Sequence, residues 1–143
     1  MTSIDFYFNA PDRFEVACRL AGKALAQKKR MLIYAPDADV ARKIDQMLWA
    51  WPAVSFVPHC FAGDGLAADT PVLIASDAES APDCEVLMNL SAACPEFFAR
   101  YTRLLEIVSQ DEDERKAGRT RYAWYRERGY AIRNHDLAAG VSA

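Results

Sequence analysis

Arg115, Arg119, Tyr122 and Arg126 follow one another at intervals of four, three and four residues. At about 100° per residue, that spacing gathers all four within about 60° on one side of a helix. Guanidinium groups around a phenol ring supply planar, bidentate donors beside an aromatic surface. Such a stripe suits a ligand that carries carboxylates or phosphates. A solvated basic face with no ligand has the same spacing, and periodicity leaves both readings open.

The second stretch with chemical potential is LWAWPAVSFVPH, residues 48–59. On a helix over 38–50, Val40, Ile44, Met47 and Trp51 fall within about 40° of one another, with Leu48 at about 80°. They form the core stripe. Trp49 lies about 180° away, on the side of Arg42 and Asp45, and Pro52 ends the helix. Trp51 is therefore expected inside and Trp49 outside, with Phe56 in a short β-like piece beyond. Exposed large aromatics are typical anchors of protein interfaces. Burial of Trp49 under the chain's own loop 59–70 is the other arrangement that periodicity allows.

Few other residues assemble into chemistry. Neither GxGxxG nor GxxxxGK[ST] follows any expected strand, and the turn after the first strand, NAPD, puts a proline where a phosphate cradle needs free N–H groups. Gly63-Asp64-Gly65 reads as a tight turn, and Ser55, Ser76 and Ser91 lack the G-x-S-x-G context. His59 is read as the one histidine of the folded body. With two histidines and four scattered cysteines (Cys18, Cys60, Cys84, Cys94), no metal site is expected, and the thiols read as free. Neither a catalytic group nor a cofactor is expected.

Charge is unevenly distributed. The 143 residues carry a net −3, yet residues 115–133 hold seven Arg/Lys against the single acid Glu127, leaving −9 on the rest. A basic element on an acidic body points to an anionic partner met locally. A direct single-stranded nucleic-acid-binding module built on this basic helix is the competing class, and a degenerate nucleotide-binding enzyme a third. Against the second class, Trp124 points away from the basic stripe and the overall charge is negative. No apolar run spans a membrane and the N-terminus has no signal-like stretch, so a cytoplasmic location is expected.

The elements that must position these residues alternate. Strands are expected at Ile4–Phe8, Met31–Ala35, Pro71–Ala75, Glu85–Leu90 and Thr102–Val108. Helices are expected from Pro11-Asp12 to Lys28-Lys29-Arg30, over 38–50, briefly at Phe97-Phe98, and from near Asp111. A capping box at Ser109–Glu112 starts the last helix and Gly129 closes it, with Ala117, Thr120 and Trp124 on one face. Alternation of this kind specifies a single α/β domain over residues 1–143, with a largely parallel central sheet flanked by helices. Residues from about 135 to 143 are expected to be a flexible tail.

LWxxPxxSFVPH at 48–59, the Ala62-Gly63-Asp64-Gly65 turn with Pro71-Val72-Leu73-Ile74 after it, and the Tyr122/Tyr125 pair in a basic helix together resemble the chi subunit of bacterial DNA polymerase III, over roughly residues 5–130. The resemblance implies a non-catalytic clamp-loader accessory subunit with a Rossmann-like fold and no nucleotide-binding loop. It implies two partners in DNA replication. The psi subunit of the clamp loader would be bound through Trp49 and Phe56. The acidic, Pro-Phe-ending C-terminal tail of single-stranded DNA-binding protein would be bound by Val108, Arg115, Arg119 and Tyr122. In some members an iron–sulfur helicase engages the psi surface. Ala123 departs from the family where a second basic residue can follow the tyrosine, and Arg126, one turn on, is the compensating residue.

Overall fold

In chain order the elements are β1 (Ser3–Ala10), α1 (Arg13–Ala26), β2 (Met31–Tyr34), α2 (Ala38–Ala50), β3 (His59–Phe61), β4 (Val72–Ala75), β5 (Val86–Asn89), β6 (Arg103–Ser109), α3 (Glu112–Glu127) and β7 (Ile132–Asp136). Short 3-10 turns occupy Phe98–Arg100 and Leu137–Ala139. This computed structural model describes residues 2–50, 58–63, 70–77, 79, 81 and 84–139. Trp51, Pro52, Phe56, Asp64, Gly65 and the final residues 140–143 lie outside the described set.

The strands form one sheet in the order β3-β4-β2-β5-β6-β1-β7, with every pair parallel. Continuous apolar runs such as MLIY, VLIA and VLMN make sense because both faces of the sheet are covered. Along β6, Leu105 and Ile107 face α1 and α2, whereas Leu104 and Val108 join the core on the opposite side, where α3 packs. Each helix begins at an aspartate. Asp12 accepts from the Phe14 and Glu15 amides, Asp37 from those of Asp39 and Val40, and Asp111 from that of Glu114. A side-chain acceptor at this point satisfies amides that have no partner within the helix. The last cap is Asp111 and not the expected Ser109, which instead receives the Asp111 amide on its hydroxyl.

Two strands lie where none was expected. β3 has only three residues, too few to show alternation. β7 takes in His135 and Asp136, which were assigned to a tail. As IRNHD it lacks an apolar face, so its place at the sheet edge comes from polar contacts with β1. The fully buried Asp5 accepts from Arg103 Nε at 2.8 Å on one side, and from Arg133 Nη2 at 3.2 Å and His135 Nε2 at 3.0 Å on the other. His135 also stacks on Tyr7, ring centroids 4.4 Å apart. His59 is therefore not the only histidine built into the body. Cys18, Cys60 and Cys94 carry free thiols, and burial pushes that of Cys18 up to about 11.

Burial on its own would raise the Asp5 carboxyl, but hydrogen bonds from His135 and Arg103 and the charges of Arg103 and Arg133 outweigh it. The group is held below its ordinary 3.8. A depressed folded-state value means stability that is present above the unfolded value and is lost as pH falls through the folded one. Asp5→Asn is expected to cost about 1–3 kcal/mol at neutral pH. It should also flatten the loss of stability below about pH 4. Urea titrations at pH 7 and pH 3 check both, and an unchanged acid limb would remove Asp5 as its source.

Candidate functional site

The basic helix is set on the sheet by one buried carboxylate. Glu106, on the face of β6 toward α3, is fully buried and accepts from Arg121 Nε at 2.9 Å, Tyr125 OH at 2.7 Å and Asn89 Nδ2 at 2.9 Å. Burial pushes this carboxyl up, opposed by the Arg121 charge and by the donors from Asn89, Tyr125 and Arg121. Burial and the Glu106 charge together push the Tyr125 phenol up, so it stays a donor. Arg121 also donates to the Ala92 carbonyl. The packed face of α3 is therefore Gly118, Arg121 and Tyr125, with Ala117 and Trp124 half-buried beside it and Thr120 exposed. The expected face of Ala117, Thr120 and Trp124 is displaced because a polar anchor in the sheet, and not apolar spacing, sets the helix's rotation.

That rotation leaves Arg115, Arg119 and Tyr122 along the flank of α3, facing strand β1. Between them lies an open groove of about 450 Å³. Phe6, Phe8 and Val108 form its floor, and Arg115, Gly118, Arg119 and Tyr122 form one wall. Asn9 and Asn134 form the far rim. Tyr122 stands edge-on to Phe6, centroids 5.0 Å apart, and its hydroxyl accepts from Asn134 Nδ2 at 3.2 Å. Asn9 has φ 60°, a left-handed conformation that asparagine tolerates, and its amide donates to Asp136 at 2.9 Å. Among the described residues no carboxylate lines the groove. The groove thus combines an apolar floor with two guanidinium groups at its rim, able to take an aromatic group below and an anion above.

Four of the five residues expected at this site, Val108, Arg115, Arg119 and Tyr122, line the groove together. Arg126 is exposed and does not line it; seven residues beyond Arg119, it sits about 10 Å further along the axis. Sequence reasoning missed Phe6, Phe8, Asn9, Gly118 and Asn134. The alternation of β1 put Phe6 and Phe8 on one face, but nothing local showed that α3 would lie over that face.

Gly118 carries a testable geometric role. A Cβ there would sit 2.7 Å and 3.0 Å from the two Val108 methyls, and a valine on a strand has little rotamer freedom to yield. An exposed helical Gly→Ala change ordinarily stabilises by up to about 1 kcal/mol. Gly118→Ala should instead destabilise by about 1–3 kcal/mol through overpacking, and should distort the groove floor. A thermal melt reads the sign directly.

A second surface lies at the other sheet edge. Ile44 and Leu48 are fully buried, and Val40 and Met47 pack against the same core, as the stripe requires. Trp49 is 59% exposed and Phe61, on β3, 44% exposed. The Trp49 ring lies 4.9 Å from that of His59, which is buried and bonded to Asp45 at 3.1 Å. His59 thus supports Trp49 without covering it. Five strand spacings separate β3 from β1, about 24 Å, so the aromatic patch and the groove are independent surfaces.

An open, parallel α/β domain with an aromatic patch at one edge and a basic groove near the other is the class that these features define. The fold resembles the C-terminal domain of the DEAD-box protein Dbp5, with a TM-score of 0.65 over 96% of this chain and 92% of that one, at 11% identity. The family described as DNA polymerase III chi subunit, HolC, matches residues 1–133, and the chain belongs to it. DNA polymerase III subunit chi of Pseudomonas aeruginosa is 31% identical over 141 residues, covering 96% of this chain and 98% of that protein. The Escherichia coli chi subunit is 32% identical over 119 residues, covering 82% and 81% respectively.

Proposed function

We propose that this chain is a non-catalytic adaptor of the replicative polymerase, joining the clamp loader, through psi, to single-stranded DNA-binding protein. The tail of the latter, acidic and ending in Pro-Phe, enters the α3 groove. Its terminal ring lies over Phe6, Val108 and Tyr122, and its carboxylates meet Arg115 and Arg119. The observation that carries this reading is the convergence of Val108, Arg115, Arg119 and Tyr122 on one recess with an apolar floor. A second support is the crevice of about 330 Å³ beside the carboxyl ends of β2, β5 and β6, where open α/β sheets usually hold nucleotides. Asp37, Asp113 and Glu114 line it, and Arg13 is already paired with Glu114 at 3.7 Å. A polyphosphate would meet carboxylates there.

Calorimetry with an acidic peptide ending in Pro-Phe, and with the same peptide lacking the final Phe, tests the groove. Psi binds through Trp49, at the other sheet edge, and through Phe56, which lies outside the described residues. Trp49→Ala should cost about 2–4 kcal/mol of psi binding, with the melting temperature and tail affinity unchanged. Loss of stability on the same scale would show that Trp49 serves the core and not a partner.

A further inference from the structure

β7 contributes to a cleft on each side of the sheet. Asn134 points into the groove beside α3, and its neighbour His135 points to the opposite face, where it lines a separate cleft of about 270 Å³ beside α1. Alternation along one strand thus places the two clefts back to back. The second is built differently from the first. Its polar lining consists of Tyr7, Lys23, Gln27, Lys29, Arg103 and His135, and among the described residues no carboxylate lines it. The nearest buried acid, Asp5, is already taken by Arg103, Arg133 and His135. Lys23 and Lys29 are exposed and enter no ion pair among the described residues. Lys29 reaches the cleft because its amide bonds back to the Ala24 carbonyl at 2.9 Å, through a turn in which Lys28 takes φ 59°. Glycine is the least strained residue at that position; here a lysine occupies it, in a run of Lys28, Lys29 and Arg30.

The geometry points to this α1 cleft as a phosphate-binding site, for the phosphate groups of a free oligophosphate or of a single nucleic-acid strand. Two exposed lysines and the anchored Arg103 line one small space, with a phenol, an amide and an imidazole as further hydrogen-bonding groups. A single carboxylate would leave much of that charge uncompensated, whereas a multiply charged tetrahedral oxyanion matches it. Lysine serves as a point charge for phosphate, and Arg103, with its Nε tied to Asp5, is held in place for the same task. Among the described residues its apolar lining is Leu20, Ala24, Met31, Val86 and Leu105, with no phenylalanine, so it offers a terminal phenylalanine less than the α3 groove does.

The test titrates the isotope-labelled full chain with sodium pyrophosphate and, separately, with oligothymidylate at fixed ionic strength, following amide resonances. Saturable shifts are expected at Tyr7, Lys23, Lys29, Arg103 and His135. Lys23→Gln with Lys29→Gln should weaken binding by about tenfold or more. Arg115→Gln with Arg119→Gln should leave it unchanged. Both lysines are exposed, so the melting temperature should not move. Tighter binding of the oligonucleotide, falling with salt, identifies a strand as the source of the phosphates; tighter binding of pyrophosphate identifies a free oligophosphate. Unsaturable shifts, shifts centred on Arg115 and Arg119, or undiminished affinity in the double lysine variant would overturn the proposal.

Discussion

Arg119→Ala is expected to weaken binding of the acidic Pro-Phe tail by about 1.5–3 kcal/mol, the usual value of a hydrogen bond to a charged group. Arg119 is exposed in the free chain and lines the groove beside Tyr122, above an apolar floor, where a seated tail would shield the guanidinium from water. The matched control is Lys116→Ala. It removes the same charge from an exposed position on the same helix that does not line the groove. Deleting the peptide's terminal Phe should cost about 2–4 kcal/mol as an anchor lost from its recess. Because that part of the affinity is apolar, raising salt should weaken the complex only partly. Equal losses for Arg119→Ala and Lys116→Ala would mean that the tail feels a diffuse field and not a pocket. Indifference to the terminal Phe would remove the groove from the proposal.

Arg121→Ala should behave in a wholly different way, although Arg121 lies only two residues further along. From spacing alone it belongs to the side of α3 away from the basic stripe, and its loss is expected to matter little for tail binding. In the structure it is the partner of Glu106, a carboxylate with no solvent exposure. Removing one member of such a pair leaves a buried charge uncompensated and costs about 3–5 kcal/mol. For a domain of this size that corresponds to a fall in melting temperature of about 10 °C or more. Glu106→Gln with Arg121→Met should lose less stability than Arg121→Met alone, since no charge is then stranded. Tail binding by Arg121→Ala at low temperature should track the folded fraction. Unchanged stability in this variant would contradict the assigned role of Glu106 in orienting α3.

These two arginines mark where sequence reasoning reaches its limit. Periodicity and caps are local properties, so the apolar strands, the starts of the first two helices, the outward Trp49 and the row of Arg115, Arg119 and Tyr122 were all legible in the sequence. So was the parallel α/β class, because alternating strands and helices leave few other ways to cover both faces of a sheet. The groove itself was not. Its floor comes from Phe6 and Phe8 on β1 and its rim from Asn134 on β7, joined to α3 only once β1 settles between β6 and β7. The edge strand β7 was equally hidden, since IRNHD is held by Asp5, 128 residues from Arg133, and not by an apolar pattern of its own. An arginine reads the same in any helix; whether it meets a ligand or a buried carboxylate depends on what the opposing strand presents, and only tertiary packing decides that.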